Sequence, residues 1–164
     1  MLDPPARVVM TGNVPDDAVA AIRRGGQDGV EVLVVGTGDV ARIEGSIDVL
    51  FIGPAAPYSV AAELFARWPG RVAPGGLLFV YGAFAAPALT AALLRAIGPS
   101  RAWRYFGRDG ALAEYVRADL THGERVLDAI AHLAQLAYFG RRTVRRRLGQ
   151  HAPSQRPRRT TLDV

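Results

Sequence analysis

Residues 47–82 read IDVLFIGPAAPYSVAAELFARWPGRVAPGGLLFVYG, and the order of runs in that stretch decides the fold. IDVLFI at 47–52 is a short apolar run rich in β-branched residues. SVAAELFARW at 59–68 sets Val60, Leu64, Phe65 and Trp68 at helical spacing, and LLFVYG at 77–82 is a second strand-like run. RVAPGG at 71–76 reads as the turn between helix and strand. A strand, a helix and a strand in so short a stretch make a parallel βαβ unit. Between its first strand and its helix lies GPAAPY at 53–58, in the position where open α/β sheets bind ligands, and only Tyr58 there carries a polar side chain.

The same alternation extends outward. RVVM at 7–10 is a strand signal followed by TGNVPDD, where Pro15, Asp16 and Asp17 open a helix over 16–24 that stops at Gly25-Gly26. VEVLVV at 30–35 is the next strand, ended by GTGD at 36–39. The residues left before IDVLFI are too few for a crossover helix, so an extended loop or one helical turn is expected there. Downstream, APALTAALLRAI at 86–97 reads as a helix, and Trp103–Phe106 and Leu112–Arg117 flank a Gly/Asp turn in the manner of a hairpin. ERVLDAIAHLAQLAYFG at 124–140 reads as an amphipathic helix, followed by an arginine-rich segment and a Pro/Ser/Gln/Arg tail expected to be disordered. These signals divide the chain into an α/β domain over 1–119, a helix and basic segment over 120–149, and a tail over 150–164.

Composition excludes several chemistries. With 164 residues, 49% of them apolar, the chain can bury one core of ordinary size. It has no cysteine, which removes disulfides, thiolate metal sites and thiol nucleophiles. All 20 basic residues are arginine, a pattern that reads as coding bias more than as a selected surface. The net charge of +5 belongs to the C-terminus, where Arg141, Arg142, Arg145, Arg146, Arg147, Arg156, Arg158 and Arg159 face one acid, Asp163. No run approaches the ~20 apolar residues that span a bilayer, and MLDPPARVVM lacks the basic start and long apolar core of a secretory signal. A cytoplasmic location is the expectation, with a membrane-peripheral one as its alternative.

The order strand, helix, VEVLVVGTGD, loop, IDVLFI, helix, APGGLLFVYG, helix, hairpin resembles the class I S-adenosylmethionine-dependent methyltransferases, in the branch whose fourth strand ends in an Asp-Gly-Asp-His-Ser-Tyr signature. The resemblance covers about residues 7–117. It implies a Rossmann-like α/β sheet, mostly parallel, with a C-terminal antiparallel hairpin. In that family the short link joins the third and fourth strands, so VEVLVV corresponds to the third, RVVM to the second, and nothing upstream corresponds to the first. The loss implies either direct pairing of the second and fourth strands, in the family order 3-2-4-5-7-6, or a strand supplied by another chain. A truncated reading frame is a further expectation of the same register.

The resemblance also implies a degenerate site. The missing first unit is the glycine-rich cofactor turn, and the acid expected after the second strand is replaced by Gly12 and Asn13. Gly38 and Asp39 remain as family-like positions, with Asp39 either closing its own turn or contacting a nucleotide. Of the fourth-strand signature only Tyr58 survives, behind Gly53, and Tyr81-Gly82 stands where relatives often have His-Asp. The implied cofactor-binding set is therefore Gly12, Asn13, Gly38, Asp39, Gly53 and Tyr58, with S-adenosylmethionine held weakly or not at all, no metal, and no catalytic residue. His122, His132 and His151 lie outside the strand-end loops at spacings unlike a metal site. Two functions follow: a catalytically degenerate binding or scaffold protein, or an active small-molecule (sugar or natural-product) O- or N-methyltransferase that works by proximity without metal. Expected partners are a second copy, through unpaired sheet edges or the C-terminal helix, and an anionic membrane surface through Arg141–Arg147. The absence of aromatic interleaving in the basic segment argues against nucleic acid.

Overall fold

The apolar runs pair with one another in the computed structural model, which describes residues 6–25, 29–132, 134 and 135. In chain order the elements are β1 (Ala6–Thr11), α1 (Asp16–Gly25), β2 (Val30–Val35), β3 (Ile47–Ile52), α2 (Tyr58–Arg67), β4 (Val72–Tyr81), α3 (Pro87–Ala96), β5 (Trp103–Asp109) and β6 (Leu112–Arg117). A last helix, α4, occupies 122–132. One 3-10 turn, Asp39–Arg42, spans the link between β2 and β3. The strands form one six-stranded sheet in the order β2-β1-β3-β4-β6-β5. β1 to β4 are mutually parallel, and β6 joins β4 and β5 antiparallel. This is the Rossmann-like arrangement, mostly parallel with an antiparallel C-terminal pair.

The middle of the sheet is continuous within the chain. β1 pairs directly with β3, Val8 opposite Val49 through Thr11 opposite Ile52. No inward edge is left for a second chain to fill, and the outer edges are β2 and β5.

Register assigns the faces, because side chains alternate across a strand. Val9, Leu50, Leu78 and Tyr115 stand in one row, and Thr11, Ile52, Val80 and Ala113 in the next on the same face. All eight are fully buried. α2 and α3 cover them with Ala61, Leu64, Phe65, Leu89, Ala92 and Leu93. Fully burying one such aliphatic side chain is worth ~1.5–3 kcal/mol, so this face carries most of the stability. Trp68, at the end of α2, is fully buried and donates its Nε1–H to the Thr37 carbonyl at 3.1 Å, which ties the β2–β3 link to the core. The opposite face bears Met10, Phe51 and Phe79 in register. Only α1 among the helices packs there, forming a shallow groove with Pro15, Ala18, Ala21, Phe51 and Tyr81.

Two elements differ from the sequence reading. RVAPGG is not the turn. A 3-10 turn at Pro69–Arg71 reverses the chain, and β4 begins at Val72, opposite Ile47, before bulging and resuming at Leu77 opposite Val49. The glycines permit this: Gly75 has φ +79°, and a Cβ on Gly76 would lie 2.8 Å from the Asp48 carbonyl oxygen. The first hairpin strand runs to Asp109 rather than Phe106, with an irregularity between Tyr105 and Gly107. The end of the helix expected at 124–139, the arginine segment and the 150–164 tail lie outside the described residues. No helix among the described residues is long and apolar enough to cross a membrane.

Candidate functional site

β1 and β3 are neighbours whose connections leave toward opposite faces, α1 behind and α2 in front. Such a switch point opens a crevice beyond the carboxyl ends of the strands, where ligands of open α/β sheets sit. Here the two strand-end loops meet backbone to backbone. Gly53 donates its N–H to the Thr11 carbonyl at 2.8 Å, and Asn13 donates its own to the Pro54 carbonyl at 3.2 Å. Gly12 turns the chain at φ +84°, and a Cβ on Gly53 would lie 2.7 Å from the Asn13 carbonyl oxygen. Two glycines are what let the loops approach so closely.

A cavity of about 360 Å³ remains in front of this contact, lined by Gly12, Asn13, Thr37, Pro54, Ala55, Ala56, Val60 and Ala86. None of these side chains titrates. Asn13 and Thr37 supply the side-chain polar groups. Thr11, one residue before the cavity wall begins, is fully buried, and its hydroxyl has no hydrogen-bond partner.

The sequence-predicted residues divide accordingly. Gly12 and Asn13 line the cavity, and Gly53 forms the loop contact beside it. Gly38 and Asp39 sit in the β2–β3 link and do not line it. The Asp39 carboxylate accepts the Gly36 N–H at 3.1 Å and pairs with Arg42 at 3.3 Å, so it closes its own turn. Tyr58 is the first residue of α2 and is well exposed. Among the described residues no three His, Asp or Glu side chains gather as metal ligands.

The titratable cluster lies elsewhere. α4 opens on a capping box in which the Glu124 carboxylate accepts the Thr121 N–H at 2.9 Å and the Thr121 hydroxyl at 2.8 Å. Arg104 of β5 pairs with the same Glu124. One turn on, buried Asp128 accepts the Tyr105 N–H at 2.6 Å, an amide of the edge strand. His132, also buried, directs Nδ1 to the Asp128 backbone carbonyl at 3.1 Å and toward its carboxylate at 3.2 Å, and Nε2 to the Tyr115 hydroxyl at 3.1 Å. A carbonyl only accepts, so Nδ1 carries a proton, and in the neutral ring Nε2 accepts the Tyr115 O–H. Burial lowers the His132 pKa more strongly than the Asp128 carboxylate raises it. Burial likewise raises the pKa of Tyr115, and that of Tyr105 against the opposing charge of Arg108. The rings of Tyr105, Tyr115 and His132 pack together at centroid distances of 5.0–5.5 Å.

Sequence reasoning passed over this corner. Its signals were the i, i+4 spacing of Asp128 and His132, which places both on one helix face, and two tyrosines set on either side of the hairpin turn. Tyr115 and His132 are buried, so the cluster ties α4 to the hairpin, while Tyr105 and Asp128 edge a shallow cavity of about 270 Å³ beside it.

The chain is similar in structure to the release factor-specific protein-(glutamine-N5) methyltransferase from Alicyclobacillus acidocaldarius, with 15% identity over 71% of this chain and 83% of that one and a TM-score of 0.45. It is similar also to ribosomal protein L11 methylase from Lactobacillus delbrueckii subsp. bulgaricus (13% identity, 73% and 72% of the two chains, TM-score 0.47). A third is an rRNA methylase from Streptococcus thermophilus (14% identity, 73% and 90%, TM-score 0.45). No family model matches the chain, and no curated protein matches it in sequence.

Proposed function

We propose that this chain is a catalytically degenerate, methyltransferase-like protein that acts by binding or scaffolding and does not transfer methyl groups. The observation that carries the reading is the strand-end crevice: its two loops hydrogen-bond to each other, and the cavity beside them has no titratable side chain. S-adenosylmethionine asks for a carboxylate on its ribose hydroxyls and for helix N-terminal N–H groups on its carboxylate. The only family-like acid, Asp39, is engaged with Gly36 and Arg42. The side chains that line the cavity do not fit the cofactor, and among the described residues none lining it is a general base.

One observation favours the second reading, a small-molecule O- or N-methyltransferase that works by proximity. The Asn13 and Thr37 side chains that line the cavity are polar groups that a bound molecule could satisfy, and positioning alone can drive transfer to a good nucleophile. Isothermal titration of the protein with S-adenosylmethionine and S-adenosylhomocysteine separates the two. Degeneracy expects no binding heat at ligand concentrations in the high micromolar range, about 100 µM. A saturable isotherm with micromolar affinity would make the second reading the correct one. As a scaffold, the molecule has its outer edges β2 and β5 to offer a second copy.

A further inference from the structure

α4 is docked with its amphipathicity reversed. It buries its polar pair, Asp128 at 8% and His132 at 4% exposure, against the hairpin. Its large apolar side chains point away: Val126 is 48%, Leu127 69% and Ile130 58% exposed. Phe106, on the edge strand whose Tyr105 amide Asp128 holds, is 70% exposed. The Asp128–Tyr105 and His132–Tyr115 bonds fix the helix azimuth, so the outward stripe follows from the fold.

Charge identifies what covers the stripe. Among residues 122–132 both acids are engaged within the protein, Glu124 with Arg104 and the capping box, and Asp128 in the buried cluster. The sequence then runs into Arg141, Arg142, Arg145, Arg146 and Arg147, and only Asp163 opposes them up to the last residue. An exposed aliphatic helix face followed in sequence by a concentrated positive charge is what seats a helix in the plane of an anionic membrane. Nucleic acid would leave the apolar stripe unrewarded, and a second copy would bring the same positive excess with it.

We propose that α4 and the arginine segment bind an anionic lipid surface, the stripe of Val126, Leu127 and Ile130 entering the headgroup boundary while the arginines hold the headgroups. The binding is independent of what the strand-end cavity holds.

The test is cosedimentation of the full chain with vesicles of phosphatidylcholine alone and of phosphatidylcholine mixed with phosphatidylserine. Binding is expected to the mixed vesicles, and to fall as salt shortens the screening length from ~10 Å at 0.1 M to ~3 Å at 1 M. The double variant Leu127→Ser, Ile130→Ser should reduce the partition coefficient about tenfold or more. Arg141→Gln, Arg142→Gln, Arg145→Gln, Arg146→Gln and Arg147→Gln together should reduce it about a hundredfold or more. Both variants change exposed or terminal positions, and an unchanged melting temperature verifies that the fold is intact. Three results would overturn the proposal. One is no binding to either vesicle. Another is association of copies in sedimentation equilibrium that the serine variant abolishes while vesicle binding stays undetectable. The third is arginine-dependent binding of duplex DNA in place of vesicles, indifferent to the serine variant.

Discussion

The strand ends and the hairpin corner of this molecule are built on opposite terms. At the ends of β1 and β3, where an open α/β sheet offers its ligand crevice, two glycine-bearing loops touch through their backbones and the cavity wall is Pro, Ala, Val, Gly, Thr and Asn. At the corner of β5, β6 and α4 lie a buried carboxylate, an imidazole and two phenols, with Asp128 bonded to the Tyr105 amide and His132 joined to Asp128 and to the Tyr115 hydroxyl. The contrast teaches that titratable side chains mark function only where something can reach them. In this chain they hold a helix in place, and the accessible crevice is left to backbone.

The largest effect expected from breaking that contrast is Asp128→Ala. It strips the Tyr105 N–H and the His132 ring of a buried partner at once, and should cost about 3 kcal/mol in urea unfolding. A loss below about 0.5 kcal/mol would mean that the corner does not hold α4. Next comes Gly53→Ala, whose Cβ meets the Asn13 carbonyl oxygen at 2.7 Å and must push two backbones apart. About 2 kcal/mol of destabilisation is expected. A neutral result would mean that the loops are not in contact. The smallest effect is the pH slope. The folded pKa of His132 lies below its ordinary 6.5, so the unfolded chain takes up the proton first as pH falls. The stability contributed by the neutral ring is full above about pH 6.5 and is lost toward the lower folded value, with a slope of at most about 1.4 kcal/mol per pH unit. Tyr115 runs the other way: its pKa is raised above 10, so its contribution is full below that pH and lost as pH rises beyond it. Unfolding measured across the acid side in the wild type and in His132→Gln should show the slope in the first and not the second. An equal slope in both would place the titration elsewhere.

The sheet was legible because its strands are period-2 or wholly apolar runs bounded by Gly and Pro, so RVVM, VEVLVV, IDVLFI and LLFVYG could each be placed. Their order followed from the one short link, 36–46. β4 was misread at its start because APGG carries turn chemistry, whereas Gly75 and Gly76 use the same freedom to let a strand bulge and resume. The orientation of α4 was not legible. The sequence left its apolar stripe open to a second copy, whereas Asp128 and His132 find partners on β5 and β6, and those contacts, distant in sequence, decided which side is buried. The strand-end residues were found by resemblance. That Gly12 and Gly53 bring two backbones together, and that Asp39 closes its own turn, depends on the register of β1 against β3, which spacing alone does not give.

The central claim, strand-end loops held to each other through their backbones, is tested most directly by amide hydrogen exchange at Gly53 and Asn13, measured alone and with excess S-adenosylhomocysteine. These two N–H groups join the loops onto the Thr11 and Pro54 carbonyls. The account predicts protection at both amides, unchanged by the ligand. Fast exchange in the free protein that slows when the ligand is added would show an open crevice that binds the cofactor, and would contradict it.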